Sequence, residues 1–585
     1  MSQPNVSTSS SMSSKLRQPK YIIAIVLIII IVGSVVAFAY LYRPSSASPY
    51  RIVTGTSPQI RYLVFNVNKV PDVRVRQAMS YAVDRSAIIS SVFFNQTQPL
   101  YSMVPPAMPY SKPVFQTTYG SAPNLTQAKA LLTQAGYNST TGKLKIDLWY
   151  NSDGHYGDTE PTVALVLKTS IEKTGMVIVS LKSEPWAQFV PDRKAGTFPF
   201  FLLGWYPDYF DSDDYVSPFL TTSGAQSLGS FYNNNTMNNW ITQEQSTVND
   251  TTRTSVFSQI QNKLATDVPY LPLWQGSANI GYRSDTSGVV LHPVVFKYYI
   301  MSRPGTSQLN VGTTDSVVCL DPACAYDYFS TDVIWQVFDT LLIYAPDSTT
   351  LLPGLATQVP TLANGGISSD GMNYTYHLRQ GVKFSDGTSF NATVMKWSIE
   401  RVIALGDSAG GANTNYAGGK YGVSAAFLLF DVGGLGNNTN WSTQTNDRII
   451  VLDPYTIRFH LSKPVSFFNE IMAFTVSAPV SMAAYSKTAG QPDTPVSKIV
   501  GTGPFTVSSY TLSQSIILTK NANYYGSTLY SSNGYPTIPV LTTVSISFFS
   551  DATGLKNALL SGQIDMAYRT LNPQDITTLQ RQYGS

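Results

Sequence analysis

Beyond residue 60 the apolar positions switch repeatedly between strand-like and helix-like spacing. Residues 62–67 read as a short apolar strand, and 72–91 as a helix striped by Val73, Ala78, Ala82, Ile88 and Ile89. A helix at 128–135 ends at Gly136, and strands at 144–150 and 177–181 enclose a helix at 161–174. The run 198–203 is apolar throughout, as in a buried strand. A helix at 251–264 leads into a strand at 270–274. Farther on, the spacing predicts helices at 392–401, 552–560 and 573–582 and strands at 455–461 and 516–520. Strand and helix mixed in this way, with no dominant repeat, predict an α/β or α+β fold, of which α/β is the expectation. The turn-rich RPGTSQ at 303–308 joins two such stretches, and the apolar-poor 406–420 and 433–445 read as surface insertions.

The N-terminus has a different pattern. Residues 1–20 are Ser-rich and polar, and read as a disordered tail on the cytoplasmic side. Residues 21–42 carry no charge and are long enough, at 1.5 Å per residue, to cross about 30 Å of hydrocarbon. Lys15, Arg17 and Lys20 precede this run, so the chain beyond it is expected outside the cell. A retained single-pass anchor in the cell membrane is the expectation; the alternative is a signal segment cut near Ala37-Phe38-Ala39, giving a secreted protein. Residues 43–59 then serve as a spacer leading into a hinge.

Composition narrows the chemistry. Charged residues make up 12% of the chain, roughly half the usual share, and the net charge is +3 without any basic run, so no nucleic-acid partner is expected. Nine N-x-S/T sequons beyond the apolar run, at Asn95, Asn124, Asn138, Asn234, Asn249, Asn373, Asn391, Asn437 and Asn440, suit an exported chain but also arise by chance in one so rich in Ser, Thr and Asn. Cys319 and Cys324 are the only cysteines; outside the cell they would close a small disulfide loop, and they match no zinc spacing. The four histidines are dispersed, and no nucleophile elbow, Walker A loop or dinucleotide fingerprint is present. The expectation is therefore no enzyme, no cofactor and no metal.

Two sets of sequence blocks carry a family resemblance. One runs LNVGTTDSVVCLDP (309–322), LLPGLATQVP, YTYHLRQGVKFSDGTSF, GTGPF (501–505), KNANYY and LLSGQIDMA. The other runs IRYLVFNV, DVRVRQAMSYAVDRSAII (72–89), VPP, AKALLTQAGY, GWYPDYFDSDDY (204–215) and IQNKLATDVPYLPLW. Together they resemble the family-5 extracellular solute-binding proteins, the dipeptide- and oligopeptide-binding components of ABC importers. The first set resembles the family's front half and the second its back half, so their order here is inverted. A circular permutant, a piece of a tandem array or an assembly error would each give this order; circular permutation is the expectation.

The resemblance implies a two-lobed, periplasmic-binding-protein-like fold of type II, the Venus-flytrap architecture. It implies one lobe at 60–285, matching the family's C-terminal half, and a second at 286–585, matching its N-terminal half plus the C-terminal tail strand. A connector of six residues spans at most about 20 Å, so 289–302 and 309–311 should be neighbours, and residue 585 should lie near residues 50–60. The implied function is capture of peptides between hinged lobes and delivery to a permease driven by ATPase subunits. An oligosaccharide receptor of the same family, or a structural surface protein without transport, are the alternatives.

The loop 204–215 holds four carboxylates and five aromatic rings in twelve residues after a buried strand. In relatives that take peptides, its first acid pairs with the ligand's α-ammonium, which by position makes Asp208 the anchor. Trp205, Tyr206, Tyr209 and Asp211 are the other candidate ligand contacts. The alternative for Asp211, Asp213 and Asp214 is capping of a turn or Ca²⁺ binding, and for Trp205 a place in the core.

Overall fold

The computed structural model describes residues 48–406, 428–435, 447–486 and 496–584, apart from Gly154 and Pro536. The tail, the apolar run at 21–42 and nearly all of both expected insertions lie outside the described residues. Among the described residues no helix is long and apolar enough to cross a membrane.

Sixteen strands are present among the described residues. In the first half they are β1 (Tyr50–Phe65), β2 (Gln98–Pro99), β3 (Leu144–Asn151), β4 (Val177–Glu184), β5 (Phe200–Trp205) and β6 (Tyr270–Arg283). In the second half they are β7 (Gln308–Thr313), β8 (Leu342–Tyr344), β9 (Leu351–Pro353), β10 (Asn373–His377), β11 (Ile449–Asp453) and β12 (Thr456–His460). The last four are β13 (Phe505–Thr511), β14 (Ser515–Lys520), β15 (Thr543–Phe548) and β16 (Met566–Tyr568). Eleven of them form one sheet, ordered β13-β14-β15-β7-β16-β6-β1-β5-β3-β4, with β2 paired to β6.

The sheet explains how two halves become one body. On one side β1 pairs antiparallel with β5, from Ile60 opposite Trp205 to Phe65 opposite Phe200, and β3 runs parallel to β4 and β5. On the other side β7 lies parallel to β15 and β16, and β16 runs antiparallel to β6 with Met566 opposite Tyr282. Strands β1 and β6 sit in the middle and belong to both sides. Both are longer than their sequence suggested. The expected strand 270–274 continues to Arg283, and the apolar run 62–67 is the end of a strand that begins at Tyr50.

Buried apolar side chains fall into two clusters rather than one. The first is built from residues between Ile60 and Trp274. The second uses residues from Ile280 to Tyr568, and also Tyr209. The cause is legible in the two central strands, which carry polar or small middles, TGTSPQ at 54–59 and QGSAN at 275–279, where apolar cores would have to merge. There Gln275 donates its side-chain amide to the Ser57 carbonyl at 2.8 Å, so the strands are tied without apolar packing. Two apolar bodies joined by two polar strands make a two-lobed α/β fold of the kind expected.

The joins expected from the inverted order are short. Ser287 bridges Ser302 and Arg303 bridges Thr306, closing a tight turn immediately before β7. Arg303 fixes that turn by ion pairs to Asp285 and Asp565 at 3.2 and 2.7 Å. Residue 585, expected near residues 50–60, lies outside the described residues. The last helix, Pro573–Tyr583, lies against β1, where Gln580 donates to the Ile52 carbonyl at 3.3 Å.

Local chemistry sets several element ends. The helix expected over 72–91 is two, Val73–Ala82 and Arg85–Ser91, because the Asp84 side chain turns back to cap the second one at the Ala87 amide. Arg85 donates to the Leu100 and Pro272 carbonyls and so ties this helix to neighbouring elements. Sequon asparagines Asn124, Asn234 and Asn249 are likewise N-caps, which accounts for Asn at those positions without any glycan. In the GTGPF block, a Cβ on Gly501 would lie 2.1 Å from the Val337 carbonyl oxygen, so only glycine fits. Cys319 and Cys324 form the expected disulfide, and next to it Arg401 and Asp321 make a fully buried ion pair at 2.5 Å.

Candidate functional site

Strand β5 ends at Gly204 and Trp205, and the acid-rich loop leaves its carboxyl end toward the second lobe. A side chain on Gly204 would collide with Tyr156 and Arg61, so glycine lets the strand end pass beneath them. Pro207 then turns the chain, and a 3₁₀ turn, Ser212–Tyr215, closes the loop with Asp211 accepting the Asp213 amide at 2.8 Å.

The loop reaches across the gap between lobes. Tyr206 donates its hydroxyl to the Pro293 carbonyl at 3.0 Å and sets its ring edge-on to Tyr328. Tyr209 stacks flat on Phe467 of the second lobe at 4.7 Å, with its hydroxyl bound to Asp213. This explains why Tyr209 is buried with the second core. Between loop and lobe lies a cleft with an empty volume of about 560 Å³, part of it open to solvent. Its walls are chiefly aromatic, with Tyr206, Tyr209 and Phe210 on one side and Tyr328, Trp335 and Tyr344 on the other.

Two of the loop's acids face this space or stand just behind it. Asp208 lines the cleft, is 9% exposed, and accepts a hydrogen bond from the Tyr326 hydroxyl at 2.6 Å. Burial pushes its carboxyl up to about 7, with the Tyr326 hydrogen bond opposing the rise. Behind it, Asp214 accepts the Asp208 backbone amide at 2.6 Å and the Trp205 indole at 3.2 Å. Its other oxygen is buried with no partner, and burial, then the charge of Asp208, hold its carboxyl well above the usual range. Neither acid has an ion pair among the described residues. The arrangement is a desolvated acidic site at one end of an aromatic cleft, suited to receiving a cation with N–H donors.

The remaining expected contacts divide. Tyr206 and Tyr209 line the cleft beside Asp208. Asp211 does not: Arg253 grips both its oxygens at 2.9 and 2.5 Å and also holds Glu244, so this acid fastens the loop to its own lobe. Asp213 accepts from Gln245 at 2.9 Å and from Tyr209, which likewise leaves it structural. Trp205 packs edge-on against Phe219 of the first core, and its indole serves Asp214 rather than the cleft. Among the described residues no group of three or more acidic, histidine or cysteine side chains could hold a metal.

The second lobe's contribution, Tyr326, Asp327, Tyr328, Trp335, Tyr344 and Phe474, was not anticipated. Asp327 carried one signal. It stands three residues before Ser330 at the head of an apolar run, a helix-start pattern, and it does cap the helix Tyr328–Val337. Nothing in that pattern shows that the cap also borders a cleft.

Known proteins resemble this chain. The family model described as bacterial extracellular solute-binding proteins, family 5, middle, matches residues 35–227 and 350–584. Among curated proteins, the periplasmic oligopeptide-binding protein OppA of Salmonella typhimurium is 27% identical over 217 residues, which are 36% of this chain and 39% of that protein. The dipeptide-binding protein of Escherichia coli is 27% identical over 242 residues, 40% of this chain and 44% of that one. This chain thus spans about two fifths of the length of those relatives. Among solved structures, a dipeptide-binding protein of Pseudoalteromonas in complex with Met-Leu shares 23% identity over 44% of this chain and 50% of its own, with a TM-score of 0.37. The family model covers well over half of the residues, and the chain belongs to the bacterial extracellular solute-binding proteins of family 5.

Proposed function

We propose that the chain is the extracytoplasmic receptor of an ABC importer, tethered by the apolar run at 21–42 and capturing peptides with a free amine. Family members bind solutes and are not enzymes. The observation that carries the peptide reading is Asp208, a buried carboxylate without a cation at the end of an aromatic cleft. The relatives named for oligopeptides and dipeptides support it. Lobes at 60–285 and 286–585, threaded in swapped order, close over the ligand by bending at β1 and β6. The short turn at 303–306 and the contact of Gln580 with Ile52 support that threading. A permease and its ATPase subunits are the partners this role requires.

In the empty cleft Asp208 titrates near 7, and an arriving ammonium favours its ionised form, so the ion pair forms inside the closing cleft. Extended main chain on either side of the amine would be held by backbone hydrogen bonds, which leaves side chains free to vary. Thermal-shift and calorimetric titration of the full chain with free and N-acetylated dipeptides tests this. Free peptides are expected to bind, and Asp208→Asn to weaken them by about 10- to 100-fold, the worth of a charged hydrogen bond. The same substitution should barely change the weak binding of acetylated peptides. Equal losses for both would remove Asp208 from the anchor role, and saturable binding of oligosaccharides alone would replace the peptide reading.

A further inference from the structure

The cleft has a second unmet acid. Asp327 lines it from the second lobe, with one oxygen, Oδ1, accepting the Ser330 amide at 2.9 Å as the cap of the helix Tyr328–Val337. Its other oxygen, Oδ2, is buried and has no hydrogen-bond partner. A buried acceptor left without a donor is costly, a cost that a donor brought by a ligand would remove. The nearest guanidinium on this wall is not offered to it, because Arg569 is held by Asp315 at 2.9 Å and lies 3.8 Å over the Tyr328 ring. No lysine, arginine or histidine lines the cleft, while Tyr206, Tyr328, Trp335 and Tyr344 do. An anion at this helix N-terminus is disfavoured, since the Asp327 carboxylate already occupies that place.

We infer that the cleft is built for a ligand with two cationic nitrogens, one at Asp208 of the first lobe and one at Asp327 of the second. This rests on the amine reading above and deepens it. The substrate class becomes peptides whose N-terminal residue is lysine or arginine, with the α-ammonium at Asp208 and the side-chain cation at Asp327 between aromatic rings. Because the two acids come from opposite lobes, such a ligand bridges the cleft and favours its closed form.

The test compares Lys-Ala with norleucyl-Ala, its neutral near-isostere, by calorimetric titration of the full chain. Lys-Ala is expected to bind at least about tenfold tighter, the lower bound for a charged hydrogen bond. Asp327→Asn is the informative variant, because asparagine caps a helix as well as aspartate and the fold at this turn is kept. It should bring Lys-Ala down to the level of norleucyl-Ala, whereas Asp208→Asn should weaken both. Equal affinity of the two peptides for the unaltered chain, or a lysine preference that survives Asp327→Asn, overturns the inference and leaves the amine reading standing. If neither peptide binds, or if Asp208→Asn changes neither affinity, both readings fall together.

Discussion

The folded protein is expected to resist heat better near pH 4 than at pH 7. Burial pushes the carboxyls of Asp208, Asp339 and Glu470 up to about 7 and that of Asp332 to about 8. In the unfolded chain these groups titrate near 4, so between about 4 and 7 the native state holds protons that the unfolded state has lost. Stability from these groups is therefore complete below the unfolded value and is lost as pH rises through the folded one. Each proton held contributes roughly 1.4 kcal/mol per pH unit of that window, so the fully buried Asp332 and Asp339 alone amount to several kcal/mol. His292 acts in the opposite sense. Burial, then the charge of Lys297, lower it to about 3, which costs stability as pH falls below its ordinary value near 6.5. Lys297, lowered by burial to about 7, is protonated in both states below that pH and adds no slope there. Burial, then the charge of Arg61, lower His155 to about 4 in the same sense as His292, and several acids against these two histidines leave the net effect with the acids. Melting curves from pH 4 to 7 should show a falling transition temperature. Asp339→Asn, which keeps a partner for Thr502, should raise it at pH 7 and leave it unchanged at pH 4. A melting temperature that climbs steadily from pH 4 to 7 would contradict this description of the buried acids.

The second large effect is expected at Arg253. This guanidinium, 7% exposed, is bound to Asp211 at 2.5 Å and to Glu244 at 3.0 Å, with Asp213 alongside. Glu244 is wholly buried and one of its oxygens already lacks a partner. Arg253→Met keeps the volume and removes the one cation that this group of acids shares. Breaking a buried pair from one side costs about 3–5 kcal/mol, because the abandoned charges stay desolvated. Urea unfolding at pH 7 should show a loss of that size, and a smaller loss at pH 4, because burial holds the Glu244 carboxyl well above its usual range and it binds a proton there instead. Peptide affinity should drop as well, since Arg253 holds Asp211 and thereby the loop that presents Asp208. A loss below about 1 kcal/mol at pH 7 would mean that the loop is anchored by other contacts.

The sequence is most informative where a side chain's neighbours are close along the chain. Alternating apolar positions locate β3, an unbroken apolar run locates β5, and the twelve-residue loop stands out because its acids and rings follow that run. Ends were harder. The span 72–91 reads as one helix because the Asp84 cap that divides it leaves its apolar stripe in step. The two long central strands were hidden by their own function, since polar middles that keep the cores apart also erase the alternation that marks a strand. The resemblance singled out Asp208 among the four loop acids by its position, but the place of Asp211 was not legible. Arg253, 42 residues away, takes Asp211 out of the cleft, and Tyr326, 118 residues away, marks Asp208 as part of it. Composition is identical for these acids, and only the meeting of two lobes tells them apart.

The proposed hinge is open to one direct measurement. The Ser466 amide donates to the Gln245 carbonyl at 2.9 Å where the lobes meet, next to the stacked Tyr209 and Phe467. Cysteines placed at Gln245 and Ser466 and oxidised should lock the lobes shut. Peptide uptake by the locked, unliganded chain, followed by stopped-flow tryptophan fluorescence, is predicted to fall to background and to return on reduction. Uptake at the same rate in the oxidised and reduced forms would contradict a trap that opens and closes about β1 and β6.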